Sequence, residues 1–202
     1  MSDSYVVAVD GLSALRTLES IPEEVKRAAL QAVNKATRDG RASSARAMRE
    51  QVNFPARYLS GTDGRLAITK QATKNDLEAQ ITGRFRPTSL ARFVSSGTVG
   101  GRNGVRVEVA PGFAKYMRRA FLIRLRAGTA DLDTKSNLGL AIRLRPGESI
   151  NNKRAVVRLQ GNLALLFGPS VSQVFAGVAN DEAPGIAEKL EQEFLRLMDL
   201  NA

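Results

Sequence analysis

The sequence predicts an α+β fold in which a long N-terminal helix and a C-terminal helix pack on a mainly antiparallel β-sheet. Three observations lead there. Ile21, Val25, Ala28, Ala29, Ala32 and Ala36 recur at the spacing of one helix face. After Phe54-Pro55 apolar and polar positions alternate, which is the period of a half-buried strand. Helical spacing returns at Ala183, Ala187, Leu190, Phe194 and Leu197. A chain of 202 residues with 43% hydrophobic content can bury a sizeable core, so a single domain is expected over 1–202.

The first element is a strand at Tyr5–Val9, closed by Asp10-Gly11 and followed by a helical turn over Leu12–Leu18. Ser20 and Glu23 stand at capping-box spacing, the serine as N-cap and the glutamate reaching back to it. The long helix runs from there to about Val52, with Gly40 as a candidate break; unbroken, it would be roughly 50 Å long. Arg65–Lys70 and Leu77–Thr82 alternate on either side of Thr73-Lys74-Asn75-Asp76, a hairpin pattern. Further strands are expected at Leu90–Phe93, at Gly104–Val109 with its valines on one face, at Phe121–Arg126 and at Leu140–Arg145. The polar segments 95–103 and 127–137 are expected as extended loops. Leu163–Phe167 is apolar throughout, as in a strand buried on both sides. Gly168-Pro169 should end it, because proline cannot continue a ladder, and Ser170 should cap the segment Val171–Phe175.

Absent residue types narrow the chemistry more than any motif present. Without cysteine there are no disulfides, thiolate metal sites or thiol nucleophiles. Without histidine there is no Ser-His pair and no His-ligated metal. Ser170 is followed by Ser172 where a nucleophile elbow needs its second glycine. No GxGxxG opens a helix, and no GKS or GKT follows a glycine run. Asp131 and Asp133 supply too few oxygen donors for a cation site. The expectation is therefore no enzyme, no cofactor and no metal. No run reaches the ~20 apolar residues of a membrane span. The stretch MSDSYVVAVDG has no basic region ahead of its apolar residues, so a cytosolic product with no membrane partner is expected.

The formal net charge is +10; residues 31–130 carry +13 and residues 181–202 carry −4. A basic body with an acidic end suits a polyanionic or acidic partner, or head-to-tail self-association. Arg27, Arg38 and Arg49 are eleven residues apart, close to three helical turns, and form a row opposite the alanines, flanked by Lys35, Arg41 and Arg46. The wet side of any amphipathic helix looks the same. Arg84 and Arg86 around Phe85, and Arg118 and Arg119 after Tyr116, complete a candidate basic surface for DNA or an acidic partner. In a strand, the same alternation only places the aromatic inside and the arginine outside.

Taken in order, the Ala/Arg-rich helix Ala28–Met48, the hairpin Leu66–Ile81, GRFRPTSLARF at 83–93, GVRVEV at 104–109, FLIRL at 121–125 and LLFGPSVSQVF at 165–175 carry a likeness. The chain resembles the lambda-type minor tail protein Z family of tailed bacteriophages, the tail completion proteins, over residues 25–176. Phe167 stands where that family more often has Tyr, and the tract around 127–160 is longer. The resemblance implies a tail-terminator-like fold and a virion structural protein, a tail completion subunit forming an oligomeric ring at the head–tail junction. The implied partners are copies of itself in a homo-oligomeric ring, expected as a hexamer, tail tube or terminator and head connector proteins, and genomic DNA passing through the lumen. Such a protein assembles in the host cytoplasm and ends in the neck of the virion. A ring needs heterologous contacts. Phe167, Gly168, Pro169, Ser170 and Val171, with Glu188, Glu191 and Glu193 of the acidic C-terminal helix, are the candidate interface, the acidic helix docking on a neighbour's basic surface. The alternative from another class is a basic cytosolic nucleic-acid-binding protein using the arginine row, which a steep salt dependence would reveal.

Overall fold

The computed structural model describes residues 22–60, 64–125, 138–150 and 156–200. It is α+β, with an N-terminal helix, a C-terminal helix and antiparallel sheets. The described residues gather into two compact units, and the chain passes from one to the other after Met48, Pro55, Arg84 and Val171. The expected strand Tyr5–Val9, the turn Leu12–Leu18, Ser20 of the capping box and the loop 127–137 lie outside the described residues.

The first unit is helical with one hairpin. Helix α1 (Glu23–Gln51) begins where the Lys26 N–H bonds the Pro22 carbonyl at 3.1 Å, with Glu23 and Glu24 at the positive end of its dipole. Its 29 residues make it about 43 Å long. The expected face at Ala28, Ala29, Ala32 and Ala36 is buried and continues through Val33, Gly40, Ala45 and Met48. Gly40 does not break the helix. It makes room for a second one, since a Cβ there would stand 2.7 Å from Ile186 Cδ1 on α3 (Val171–Asp199).

Helix α3 is continuous where the sequence suggested a short capped segment and a separate C-terminal helix. It carries Pro184 inside it. Proline removes one N–H from the ladder, but Asn180, whose carbonyl loses that donor, is exposed, so solvent can serve it. Ile186 and Leu190 of α3 meet Ala32, Val33 and Ala36 of α1, with Phe194 and Leu197 packed alongside.

Strands β1 (Leu66–Lys70) and β2 (Gln80–Gly83) form the expected hairpin, with Ile68 opposite Ile81. At its far end Thr73 and Asp76 exchange backbone bonds of 2.6 and 3.2 Å. Lys70 Nζ holds Asp76 at 2.8 Å and Glu78 at 2.9 Å. Asn34 ties the link between the strands to α1: its amide donates to the Ala72 carbonyl at 3.1 Å and accepts the Ala72 N–H at 3.0 Å.

The second unit is built of strands β3 (Pro87–Ser89), β4 (Val94–Ser96), β5 (Val105–Ala110), β6 (Phe113–Met117), β7 (Ala120–Arg124), β8 (Leu138–Arg143), β9 (Val156–Leu159) and β10 (Leu163–Ser170). One sheet runs β4-β5-β6. The other runs β3-β10-β8-β7, with β9 also paired to β10. As expected, Val105 and Val107 of β5 share a buried face. Leu90–Phe93, expected as a strand, is instead a 3-10 helix: Ser89 Oγ accepts the Ala91 N–H at 3.3 Å and turns the chain between two short strands. That turn buries Phe93 beside Phe54, with ring centroids 5.7 Å apart.

Gly168-Pro169 does not end its strand either. β10 continues, pairing Phe167 with Ser89, Gly168 with Thr88 and Ser170 with Pro87. The register shift between Gly168 and Ser170 absorbs Pro169, so its missing N–H leaves no gap in the ladder. Gly139 on β8 gives two leucines access to each other, because a Cβ there would lie 2.6 Å from Leu125 Cδ1 and 2.7 Å from Leu165 Cδ2. Of the expected loop 95–103, Ser95 and Ser96 belong to β4, and Val99 bridges Leu122 of β7.

Candidate functional site

The residues singled out at Phe167–Val171 form the joint where β10 passes directly into α3. Ser170 is 1% exposed and Val171 is buried, so neither presents a side chain to a neighbour; Phe167, Gly168 and Pro169 are half-buried. Phe167 packs on the core pair Ala141 and Leu165. A Cβ on Gly168 would stand 3.0 Å from Leu90 Cδ2 and 3.4 Å from Phe93 Cε2. In the first unit, the Ser172 N–H at the start of α3 donates to the Arg84 carbonyl at 3.0 Å, satisfying one of the amides that a helix start leaves open.

On α3 the three glutamates differ. Glu188 and Glu191 are exposed, and Glu188 accepts a hydrogen bond from Gln192 at 3.0 Å. Glu193 is already engaged: Arg196 donates to its two oxygens at 3.0 and 2.7 Å, and Lys35 Nζ lies 3.9 Å away. The Arg196 hydrogen bond, reinforced by the charges of Arg196 and Lys35, holds the Glu193 carboxyl below its usual range.

The candidate cations are also divided. Arg27 and Arg38 are exposed on α1 in the first unit, and Arg49, exposed as well, belongs to the second. Around Phe85, between β2 and β3, the in-and-out reading fails for the aromatic, which is 62% exposed, while Arg84 is half-buried and Arg86 is exposed as expected. Arg118 and Arg119 occupy the turn between β6 and β7. Arg118 is exposed. Arg119 is clamped: Nη1 and Nη2 donate to the two Glu148 oxygens at 2.8 and 2.7 Å, and Nη2 donates to the Arg143 carbonyl at 2.7 Å. Glu148 also accepts the Arg145 N–H at 2.7 Å. These bonds, Arg119 first, lower the Glu148 carboxyl to about 2. Such a two-pronged pair fixes orientation as well as charge, so Arg119 acts as a brace between the β6–β7 turn and the end of β8.

Among the described residues, the most exposed large apolar side chain of the second unit, Phe113, lies on a strand that the sequence reading did not set out, although it singled out Tyr116. On β6, Phe113, Ala114, Lys115 and Tyr116 are all exposed, Phe113 by 79% and Tyr116 by 57%. β6 is the outer strand of its sheet, and its far edge has no strand partner among the described residues. Tyr116 OH donates to the Asn103 carbonyl, which holds the ring over the β4–β5 connection. Among the described residues no group of three or more metal-ligating side chains could hold an ion, and no helix is long and apolar enough to cross a membrane. No family model, no curated protein and no solved structure matches the chain.

Proposed function

We propose that this chain is a virion structural protein of a tailed bacteriophage, a tail completion or terminator-like subunit that forms a homo-oligomeric ring at the head–tail junction. In that role it meets the tail tube and head connector proteins and surrounds the genomic DNA. The ordered likeness from Ala28 to Phe175 supports the choice of assembly. The observation that carries the reading is strand β6, wet on both faces and open at its edge, with Phe113 and Tyr116 in solvent. An exposed apolar edge strand invites aggregation in a protein that stays monomeric, and it is a contact surface in one that assembles. Lys115, Arg118 and Arg106 make that hairpin basic, while Glu188 and Glu191 make the outer side of α3 acidic. A ring joins two different patches of each copy, and these two are complementary in charge.

Light scattering and negative-stain microscopy of the purified protein test the reading. Rings are expected, and Phe113→Ser should break them without lowering the thermal midpoint, because its side chain is 79% exposed; Phe113→Ser/Tyr116→Ser should break them further, at the cost of the Tyr116 bond to the Asn103 carbonyl. Glu188→Lys/Glu191→Lys should do the same from the other patch. A protein that stays monomeric at concentrations of tens of micromolar, or rings indifferent to these variants, would overturn it.

A further inference from the structure

We propose that the second unit holds a phosphate-binding cavity at one end of its five-stranded sheet, formed by Arg102, Arg118 and Arg143. The cavity has a volume of about 400 Å³ and is also walled by Gly100, Gly101 and Phe121. Strand pairing brings its parts together. Ala120 of β7 pairs with Ile142 of β8, which sets the Arg118-Arg119 turn beside Arg143 at the same end of the sheet. Val99 bridges Leu122, and the Gly100 N–H donates to the Leu122 carbonyl at 2.8 Å, which pins the glycine loop on β7 and delivers Arg102 to the rim. Gly100 has φ +70°, and a Cβ at Gly101 would collide with Thr98 Oγ1, so this tight loop needs glycine at both positions.

The charge around this hollow is unbalanced. Four arginines line it, and Glu148 satisfies one of them, Arg119. Among the described residues no carboxylate pairs with Arg102, Arg118 or Arg143, and all three are exposed. Cations gathered around one space repel each other unless an anion sits between them. Arginine forks match the oxygens of a phosphate, and three of them suit a group carrying about −1.5 to −2 charges, or successive phosphodiesters, better than a single carboxylate. The ligand is thus a phosphate, of a nucleic-acid backbone or of a small phosphorylated compound. The site does not depend on the ring reading, because a monomer would carry it equally well.

The test titrates pyrophosphate and a fluorescent ~20-nucleotide single strand onto the full chain over a range of salt. The cavity variant is Arg102→Gln/Arg118→Gln/Arg143→Gln. A control with the same charge change, Arg27→Gln/Arg38→Gln/Arg46→Gln, removes exposed cations from α1. The cavity variant is expected to lose about tenfold or more in affinity, the loss typical of a charged hydrogen bond, and the control less than about threefold. Arg118→Gln alone, a change at an exposed turn, keeps the question answerable should the triple variant fold poorly. If the cavity substitutions weaken pyrophosphate binding and leave that of the strand unchanged, the cavity takes a compact phosphate compound. If they weaken the strand and the wild type binds pyrophosphate no better than the cavity variant does, the cavity follows a nucleic-acid backbone, and either result upholds the site. Wild-type affinity for both probes in the cavity variant, an equal loss in the α1 control, or no binding of either probe by the wild type would overturn the proposal.

Discussion

Replacing Gly40 by alanine sets two effects of opposite sign against each other at one helix contact. Alanine is better than glycine inside a helix by about 1 kcal/mol. Its Cβ, however, would stand 2.7 Å from Ile186 Cδ1 and 2.9 Å from Cγ1, where apolar carbons settle at ~3.5–4.0 Å. Ile186 is 3% exposed, so its end has to rotate into occupied space. Overpacking of that kind costs about 1–3 kcal/mol, which leaves the single variant between neutral and ~2 kcal/mol destabilised. Ile186→Ala alone should cost about 2–5 kcal/mol. In the double variant the new methyl enters the space that the isoleucine vacated, so the clash vanishes while the helix gain remains. The pair should therefore be less destabilised than the sum of the singles by about 1–3 kcal/mol. Urea unfolding followed by far-UV circular dichroism measures all four proteins, fitted to the helical transition if the two units unfold separately. Additivity within ~0.5 kcal/mol would refute the contact between α1 and α3 at Gly40.

The two glycines of the second unit rank by the space around them. Gly139→Ala meets Leu125 and Leu165 at 2.6 and 2.7 Å and should cost about 2–3 kcal/mol, whereas Gly168→Ala meets Leu90 at 3.0 Å and should cost about 1 kcal/mol or less. The reverse order of thermal midpoints would contradict the packing described. Glu148 has its folded carboxyl lowered to about 2 from 4.5, so its contribution is complete above pH 4.5 and disappears as the pH falls towards 2. Stability of the wild type should decline over that window, and Glu148→Gln should flatten the decline; identical acid profiles would show that the Arg119 clamp does not form in solution. Pro184→Ala restores an N–H inside α3 and should raise the thermal midpoint by several degrees, as about 1–2 kcal/mol would in a chain of this size.

The fold was legible wherever burial was one-sided and periodic. The small-residue face of α1 and the valines of β5 announce themselves, because each has a wet face and a dry face that alternate at the element's own period. β6 has no dry face, so nothing in Phe113–Met117 alternates, and four-residue β9 is too short to show a period. Leu90–Phe93 has the composition of a strand and becomes a helical turn because Ser89 caps it, a choice made by one side-chain hydrogen bond. Pro169 and Pro184 carry the right local signal, a missing donor, and in both cases the surroundings supply a place for it: a register shift in β10 and an exposed turn in α3. The division into two units runs through α1 and through the β10–α3 joint, so no linker composition marks it.

The candidate sites were less legible, because a count of charges does not say which ones are already paired or where the free ones meet. Arg119 and Glu193 looked like surface groups and are engaged within the fold, by Glu148 and by Arg196. Arg102 and Arg143 drew no notice, since 41 residues separate them in the chain and only the bridge at Val99 and the register of β7 on β8 bring them to one cavity. A net charge of +10 is the same number whether it is spread or gathered. The physical consequences differ, because exposed charges are screened from one another beyond about 8–10 Å in ordinary salt, while cations around one hollow act together on whatever occupies it. A diffuse basic surface should therefore lose affinity for a polyanion in proportion to the number of arginines removed, wherever they lie. A gathered one should lose it according to place, and comparing equal numbers of substitutions on α1 and at the sheet end separates the two.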